Sequence, residues 1–335
     1  MPTLLDPIEI RGHVIRNRLV LPPMGTGLAG PRGEVTDELI KHYDVRSRCN
    51  GLVIVEHSYV SPRGKVTENQ LGIWSDDLIP GLARLAKTIK GRGAVAVIQL
   101  NHGGGKANPE LVGTPIAPSS VPVPGFEWVP REITREEIDE VVEEFVEAAR
   151  RAIEAGFDGV EIHGAHGYLL SEFLSPITNK RRDEYGGPLE NRMRLPLRIV
   201  ERVRRVIGSG KLLLYRMGVT DAMEGGFTVE EAEVFAARLV ERGVDVIDVS
   251  GGLCGAELPG KENVQGYFVP YAERIRRRVK APVIGVGGVR DPLFANRVIE
   301  EGRIDLIAVG RAQLEDAEWA CRALEAVKKY LGGRR

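Results

Sequence analysis

The sequence predicts an α/β fold, a (β/α)8 TIM barrel with an N-terminal β-hairpin and a long loop after the third barrel strand. Three observations predict it. Short β-rich runs recur eight times along the 335 residues, each followed by a segment of helical period, as in a parallel sheet covered by helices. No low-complexity linker divides the chain, so residues 1–335 are expected to form one domain. No dinucleotide fingerprint follows an early strand either. The first strand leads into Pro22-Pro23-Met24-Gly25, where a doubly wound sheet would need a G-x-G-x-x-G turn.

Ahead of the barrel, Ile8-Glu9-Ile10-Arg11-Gly12-His13-Val14-Ile15 alternates in period two on either side of Gly12. It is expected to form a hairpin that plugs the barrel bottom. Barrel strands are expected at 18–22, 51–56, 94–100, 159–163, 211–217, 244–249, 282–286 and 305–309. Between 135 and 156, Ile138, Val141, Val142, Phe145, Ala149 and Ile153 recur at i, i+3, i+4 spacing opposite a Glu- and Arg-rich face, which predicts an amphipathic helix. Thr134 with Glu137 three residues on predicts a capping box, and Gly156 stands where the helix should stop. The Pro- and Gly-rich stretch 101–130 exceeds an ordinary βα loop and is expected to shape the barrel mouth.

Composition bounds the function. Lys plus Arg (46) nearly cancels Asp plus Glu (47), so no global field favours nucleic acid or an anionic membrane. The Arg276-Arg277-Arg278 run is expected to solvate a helix. No apolar run approaches the roughly 18 residues of a membrane span, and the start lacks a basic region followed by an apolar stretch. A cytoplasmic location is expected. Cys49, Cys254 and Cys321 are scattered and odd in number, which argues against a disulfide framework and against a Cys-rich metal cluster. Reduced thiols and no metal are expected.

In this fold active sites collect at the carboxyl ends of the strands. The fourth strand exits into His163-Gly164-Ala165-His166-Gly167-Tyr168, two imidazoles and a phenol together. Imidazole N–H groups stabilise a developing oxyanion, and a phenol delivers a proton, so the three suit an activated carbonyl compound. A structural histidine pair or a His-x-x-His metal site are the alternatives. The seventh and eighth strands end in Gly285-Val286-Gly287-Gly288 and Gly310-Arg311, where barrels often bind phosphate, although tight turns use glycine pairs equally often. Arg311 would add a charge-assisted contact.

Ser171-Glu172-Phe173-Leu174-Ser175-Pro176 and the run Asn179-Lys180-Arg181-Arg182-Asp183-Glu184-Tyr185-Gly186-Gly187-Pro188-Leu189-Glu190-Asn191-Arg192 resemble the Old Yellow Enzyme family, the flavin-dependent ene-reductases. The similarity runs from Asn17-Arg18 to the last strand and helix. It implies an FMN over the barrel mouth, His163 and His166 as the oxygen-binding pair, and Tyr168 as proton donor. It also implies that Gln99 hydrogen-bonds the flavin pyrimidine edge and that Arg216 stands beside N1 and the C2 carbonyl, where a fixed cation favours the reduced anion. Pro22, Pro23, Met24, Gly25 and the backbone of His57 would lie against the cofactor, with Gly287, Gly288, Gly310 and Arg311 on its phosphate. The segment 181–192 offers no group to a pocket, so ion pairing and loop support are its expected job. NADH or NADPH, having no domain of its own, would bind transiently over the flavin and leave before an enone or similar small molecule enters, giving ping-pong kinetics.

The chain departs from the family at three places. Gly25 stands where relatives carry a flavin-bonding Cys or Thr, unless Thr26 substitutes by a one-residue shift. Gly27 replaces a tyrosine of some relatives. His57 stands where a small residue is common, and its side chain is either a third acid–base group or structural. The barrel also resembles part of the larger 2,4-dienoyl-CoA reductases, but the clustered cysteines of an iron–sulfur site are missing, so FMN alone is expected. A homo-oligomer is expected, with Arg334 and Arg335 as a solvated tail rather than reaching a neighbouring subunit's site. The leading function is NAD(P)H-dependent reduction of the C=C bond of α,β-unsaturated carbonyl compounds. The runner-up is a flavin-binding electron-transfer subunit of a larger complex, and a flavin-free phosphate-binding lyase ranks last.

Overall fold

The computed structural model describes residues 1–261 and 263–333, so Arg334 and Arg335 lie outside the described residues. Strands β1 (Ile8–Ile10) and β2 (His13–Ile15) pair antiparallel as the expected hairpin. Strands β3 (Leu19–Leu21), β4 (Leu52–Tyr59) and β5 (Val95–Asn101) follow. Within the excursion after β5, the two-residue strands β6 (Ile116–Ala117) and β7 (Arg131–Glu132) pair with each other. The remaining strands are β8 (Gly159–Gly164), β9 (Leu212–Gly218), β10 (Val246–Ser250), β11 (Val283–Gly285) and β12 (Leu306–Ala308). In the order β3, β4, β5, β8, β9, β10, β11, β12 they pair in parallel, and β12 closes onto β3. All eight lie where the sequence predicts, with ends that differ by at most three residues.

Alternation along each strand serves two cores. Val20, Leu52, Ile54, Val97, Leu214 and Ile284 fill the barrel interior, joined from below by Ile10 and Ile15 of the hairpin. The hairpin therefore plugs the bottom, and burying those two side chains contributes about 3–6 kcal/mol at about 1.5–3 kcal/mol each. Outward residues such as Val53, Ile98, Ile162, Leu213 and Tyr215 pack against helix residues including Leu82, Phe145, Val200 and Phe235. The helix Arg135–Glu154 buries its expected stripe. Its Thr134 hydroxyl accepts from Glu137 N while the Glu137 carboxylate accepts from Thr134 N, the full capping box.

The 181–192 segment does the supporting work expected of it. The buried Arg181 guanidinium donates to the carbonyls of Pro118 (3.1 Å) and Ile133 (2.7 Å) and pairs with Asp183, while Arg192 reaches Leu174 O and Glu231. These bonds fasten the long excursion to the barrel. Among the described residues no helix is long and apolar enough to cross a membrane.

The cysteines correct the sequence reading. Cys49 and Cys321 form a disulfide, and only Cys254 is free. They are 272 residues apart, so their spacing carried no signal. Barrel closure brings the helix Trp319–Gly332 back to the first βα unit, where Arg46 also donates to Gln313 O and Asn50 to Gln313 Oε1. A crosslink over so long a loop removes much entropy from the unfolded chain, typically about 2–4 kcal/mol. Cys321→Ser is therefore expected to lower Tm by about 5–10 °C, since 1 kcal/mol moves a large domain by about 2–4 °C. Thermal melts with and without reductant check this: the reductant should shift the parent and leave the variant alone.

Candidate active site

Strand parity decides which side chains reach the barrel mouth. Val95 and Val97 of β5 fill the interior, so Gln99 points the same way two residues on. The same count leads from Leu214 to Arg216 on β9, and from Val246 to Asp248 and Ser250 on β10. On β8, Val160 and Ile162 face the helices, which turns Glu161 and His163 inward. The interior thus changes from apolar to polar near its carboxyl end, in a buried layer of Gln99, Glu161, Arg216 and Asp248.

Within that layer Gln99 Nε2 donates to Glu161 Oε1 at 2.9 Å, and Arg216 Nη1 lies 3.2 Å from Asp248 Oδ2. Two carboxyls lie in the field of one guanidinium, and Asp248 is the one paired with it. Burial, reinforced by the charge of Asp248, pushes Glu161 well above the usual carboxylate range, so it keeps its proton. Burial raises Asp248 as well, an effect that Arg216 partly offsets. Among the described residues Gln99 Oε1 and Arg216 Nε are buried with no hydrogen-bond partner. Buried polar atoms are seldom left so. An unpaired acceptor and an unpaired cationic donor complement a ring edge that carries N–H and C=O groups, which is what a flavin pyrimidine ring presents.

Above this layer sit the two imidazoles and the phenol. His163 Nδ1 accepts from Ala165 N at 3.3 Å, so its proton is on Nε2. Ser250 Oγ takes Arg216 Nη2 at 3.5 Å and lies 2.7 Å from His166 Nε2; when the serine donates there, the His166 proton is on Nδ1. In that tautomer each ring has one N–H to offer. His166 has a left-handed backbone, φ 59°, held by its N–H on Gly251 O (2.9 Å) and by Lys106 Nζ on its carbonyl (2.7 Å). Burial, then the nearby cationic groups, depresses both imidazoles well below their usual range. They are neutral donors at neutral pH. The Tyr168 ring stands edge-on to His163 at 5.0 Å, and burial raises its phenol, which stays protonated. Among the described residues no group of three or more His, Cys, Asp or Glu side chains is placed to hold a metal ion.

A cleft of about 290 Å³ unites the site. Pro22, Pro23, Met24, Gly25, His57, Gln99, His163, His166, Tyr168, Arg216, Gly287, Gly288, Gly310 and Arg311 all line it. The structure therefore brings together every site residue that the sequence singled out. At one end Gly287 has φ 123°, and a Cβ there would stand 2.8 Å from the Tyr267 ring, so the turn admits only glycine. Arg311 pairs with Glu257 and donates to Tyr267 Oη at 3.1 Å on the rim. Thr26 does not take the place of a side chain at 25. Its hydroxyl donates to Glu56 Oε1 (2.7 Å) and its N–H to Glu56 Oε2 (3.0 Å), and the imidazole of His57 lies beside Gly25 instead.

A family model described as NADH:flavin oxidoreductase / NADH oxidase matches residues 3–329. The chain belongs to that family. It is 42% identical over 331 residues to an NADH oxidase of Thermoanaerobacter brockii, covering 97% of this chain but 51% of that protein. It is 42% identical over 319 residues to an NADPH dehydrogenase of a Geobacillus species, covering 94% of this chain and 92% of the relative. The solved Old Yellow Enzyme homologue of Zymomonas mobilis superposes with a TM-score of 0.84 at 27% identity, over 97% of this chain and 93% of that one. The chain thus spans about half the length of one of these flavin oxidoreductase relatives and nearly all of the other two.

Sequence reading missed several residues that this member of the NADH:flavin oxidoreductase family places in or behind the site. Glu161 and Asp248 were detectable, because each is a charged residue at an inward position of a buried strand. Ser250 follows by the same count. Lys106 and Gln70 come from loops, and nothing in their local sequence marks them.

Proposed function

We propose that the chain is an FMN-dependent NAD(P)H oxidoreductase that reduces the C=C bond of α,β-unsaturated carbonyl compounds. The observation that carries this is one cleft in which the unpartnered Gln99 Oε1 and Arg216 Nε meet two neutral imidazole N–H donors and a protonated phenol. Gln99 and Arg216 would hold the flavin pyrimidine edge, and the turns at Gly287, Gly288, Gly310 and Arg311 its phosphate. FMN held there would supply the alkene's β-carbon with a hydride taken from NADH or NADPH. His163 Nε2–H and His166 Nδ1–H hold the carbonyl oxygen and stabilise the negative charge that grows there. Tyr168 gives its phenolic proton to the α-carbon, and solvent restores it. The names of the relatives support nicotinamide nucleotides as the reductant.

Purified protein should take up FMN and turn yellow, and NADPH or NADH should bleach it. Lack of FMN uptake on reconstitution rejects the proposal. A pH profile gives a second check. Because both imidazoles are depressed and the phenol is raised, kcat/KM for an enone should be flat from about pH 6 to about pH 9, between the ordinary pKa ranges of His and Tyr. A limb near the ordinary imidazole value would contradict the neutral-donor role.

The half-length match to the Thermoanaerobacter brockii protein favours a second reading, in which the chain is the flavin-binding part of a larger electron-transfer assembly. Multiple turnover of NAD(P)H and enone by the isolated chain excludes it.

A further inference from the structure

We propose that the imidazole of His57 donates a hydrogen bond to the bound isoalloxazine, through the gap that Gly25 leaves, and so favours the reduced cofactor. This rests on the flavin reading above and deepens it. The β4–β5 register slips between Val55 and Ser58, a bulge at Glu56 and His57, and bulges re-aim side chains. Here the bulge sends the His57 ring to the wall of the cleft, where it stacks 5.7 Å from Tyr168 at 21°. A Cβ on Gly25 would lie 3.0 Å from His57 Nε2, tight enough to push the ring aside. The backbone at 25 is not left-handed, and among the described residues His57 alone stands within 4 Å of such a Cβ.

The hydrogen bonds behind the ring decide which nitrogen carries the proton. Gln70 is buried, and its Oε1 accepts from Val66 N at 2.8 Å, which leaves its amide nitrogen facing His57. That Nε2 donates to His57 Nδ1 at 2.9 Å and to His57 O at 3.1 Å. Nδ1 is therefore an acceptor and the proton lies on Nε2. Burial depresses this imidazole to about 4, so it is neutral in ordinary buffers. Nε2–H makes no hydrogen bond among the described residues and borders the cleft that Gln99 and Arg216 also line. A fixed donor in a dry site stabilises the more electron-rich form of whatever accepts it.

The test compares parent, His57→Leu and His57→Gln proteins loaded with FMN, reading midpoint potential and the Kd of oxidised FMN. His57→Leu is expected to bind oxidised FMN nearly as well as the parent but to prefer the reduced form about tenfold less, a fall of about 30 mV for a two-electron couple. His57→Gln, whose amide can donate, should recover most of the shift. An unchanged potential in FMN-loaded His57→Leu overturns the role of His57 and leaves the flavin reading standing. Failure of the parent to bind FMN overturns the flavin reading itself. If His57→Leu does not fold, ¹⁵N-histidine NMR of the parent holoprotein, assigned with His57→Gln, decides: a protonated Nε2 supports the donor, and a protonated Nδ1 overturns it.

Discussion

Tyr168→Phe is expected to slow alkene reduction by about 10²–10⁴-fold, the usual worth of a general acid, while leaving reduction of bound FMN by NADPH or NADH within about twofold. The substitution is conservative by construction. The phenyl ring can keep its edge-on contact with His163 and its stacking with His57. The Tyr168 hydroxyl makes no hydrogen bond to the described residues, so no structural bond is lost with it. Only the proton is removed. Stopped-flow measurement of each half-reaction separates the two steps. Equal rates of alkene reduction in parent and variant would remove Tyr168 from the mechanism.

His163→Ala and His166→Ala are each expected to cost about 10²–10³ in kcat/KM for the alkene, as loss of one oxyanion donor does. Ala165 N leaves His163 its Nε2–H, and a donating Ser250 leaves His166 its Nδ1–H. The two donors serve one oxygen, so the double variant should lose less than the product of the single losses. Circular dichroism and FMN uptake control for folding, because His163 is buried. Single variants with parental kcat/KM would leave the rings a structural pair, the alternative that the sequence alone keeps open.

The strands were legible because a barrel buries both faces of each strand, so eight apolar runs stand out between amphipathic helices. Gln99 and Arg216 were legible for a related reason, being polar residues near the ends of such runs. The same parity marks Glu161 and Asp248, and counting inward positions on every strand would have found them. Other features depend on contacts that no local pattern encodes. The Cys49–Cys321 link spans 272 of the 335 residues and forms because the last helix returns to the first βα unit. The question left at Gly25 needed coordinates, since Glu56 engages Thr26 and a bulge on β4 brings in His57. Lys106 reaches the His166 carbonyl from a loop whose path is decided by bonds such as Trp128 Nε1 to Gly105 O (2.6 Å).

Transfer of reducing equivalents in this cleft, from a nicotinamide nucleotide to an activated alkene, is what we propose the protein does. Its most direct test is anaerobic: FMN-loaded protein is reduced with one equivalent of NADPH or NADH, then mixed with 2-cyclohexenone, and the flavin absorbance and the organic product are followed. The yellow colour is expected to return at a rate that saturates with enone, with one cyclohexanone formed per flavin. A flavin that stays reduced in the presence of enones, maleimides and nitroalkenes alike would contradict it.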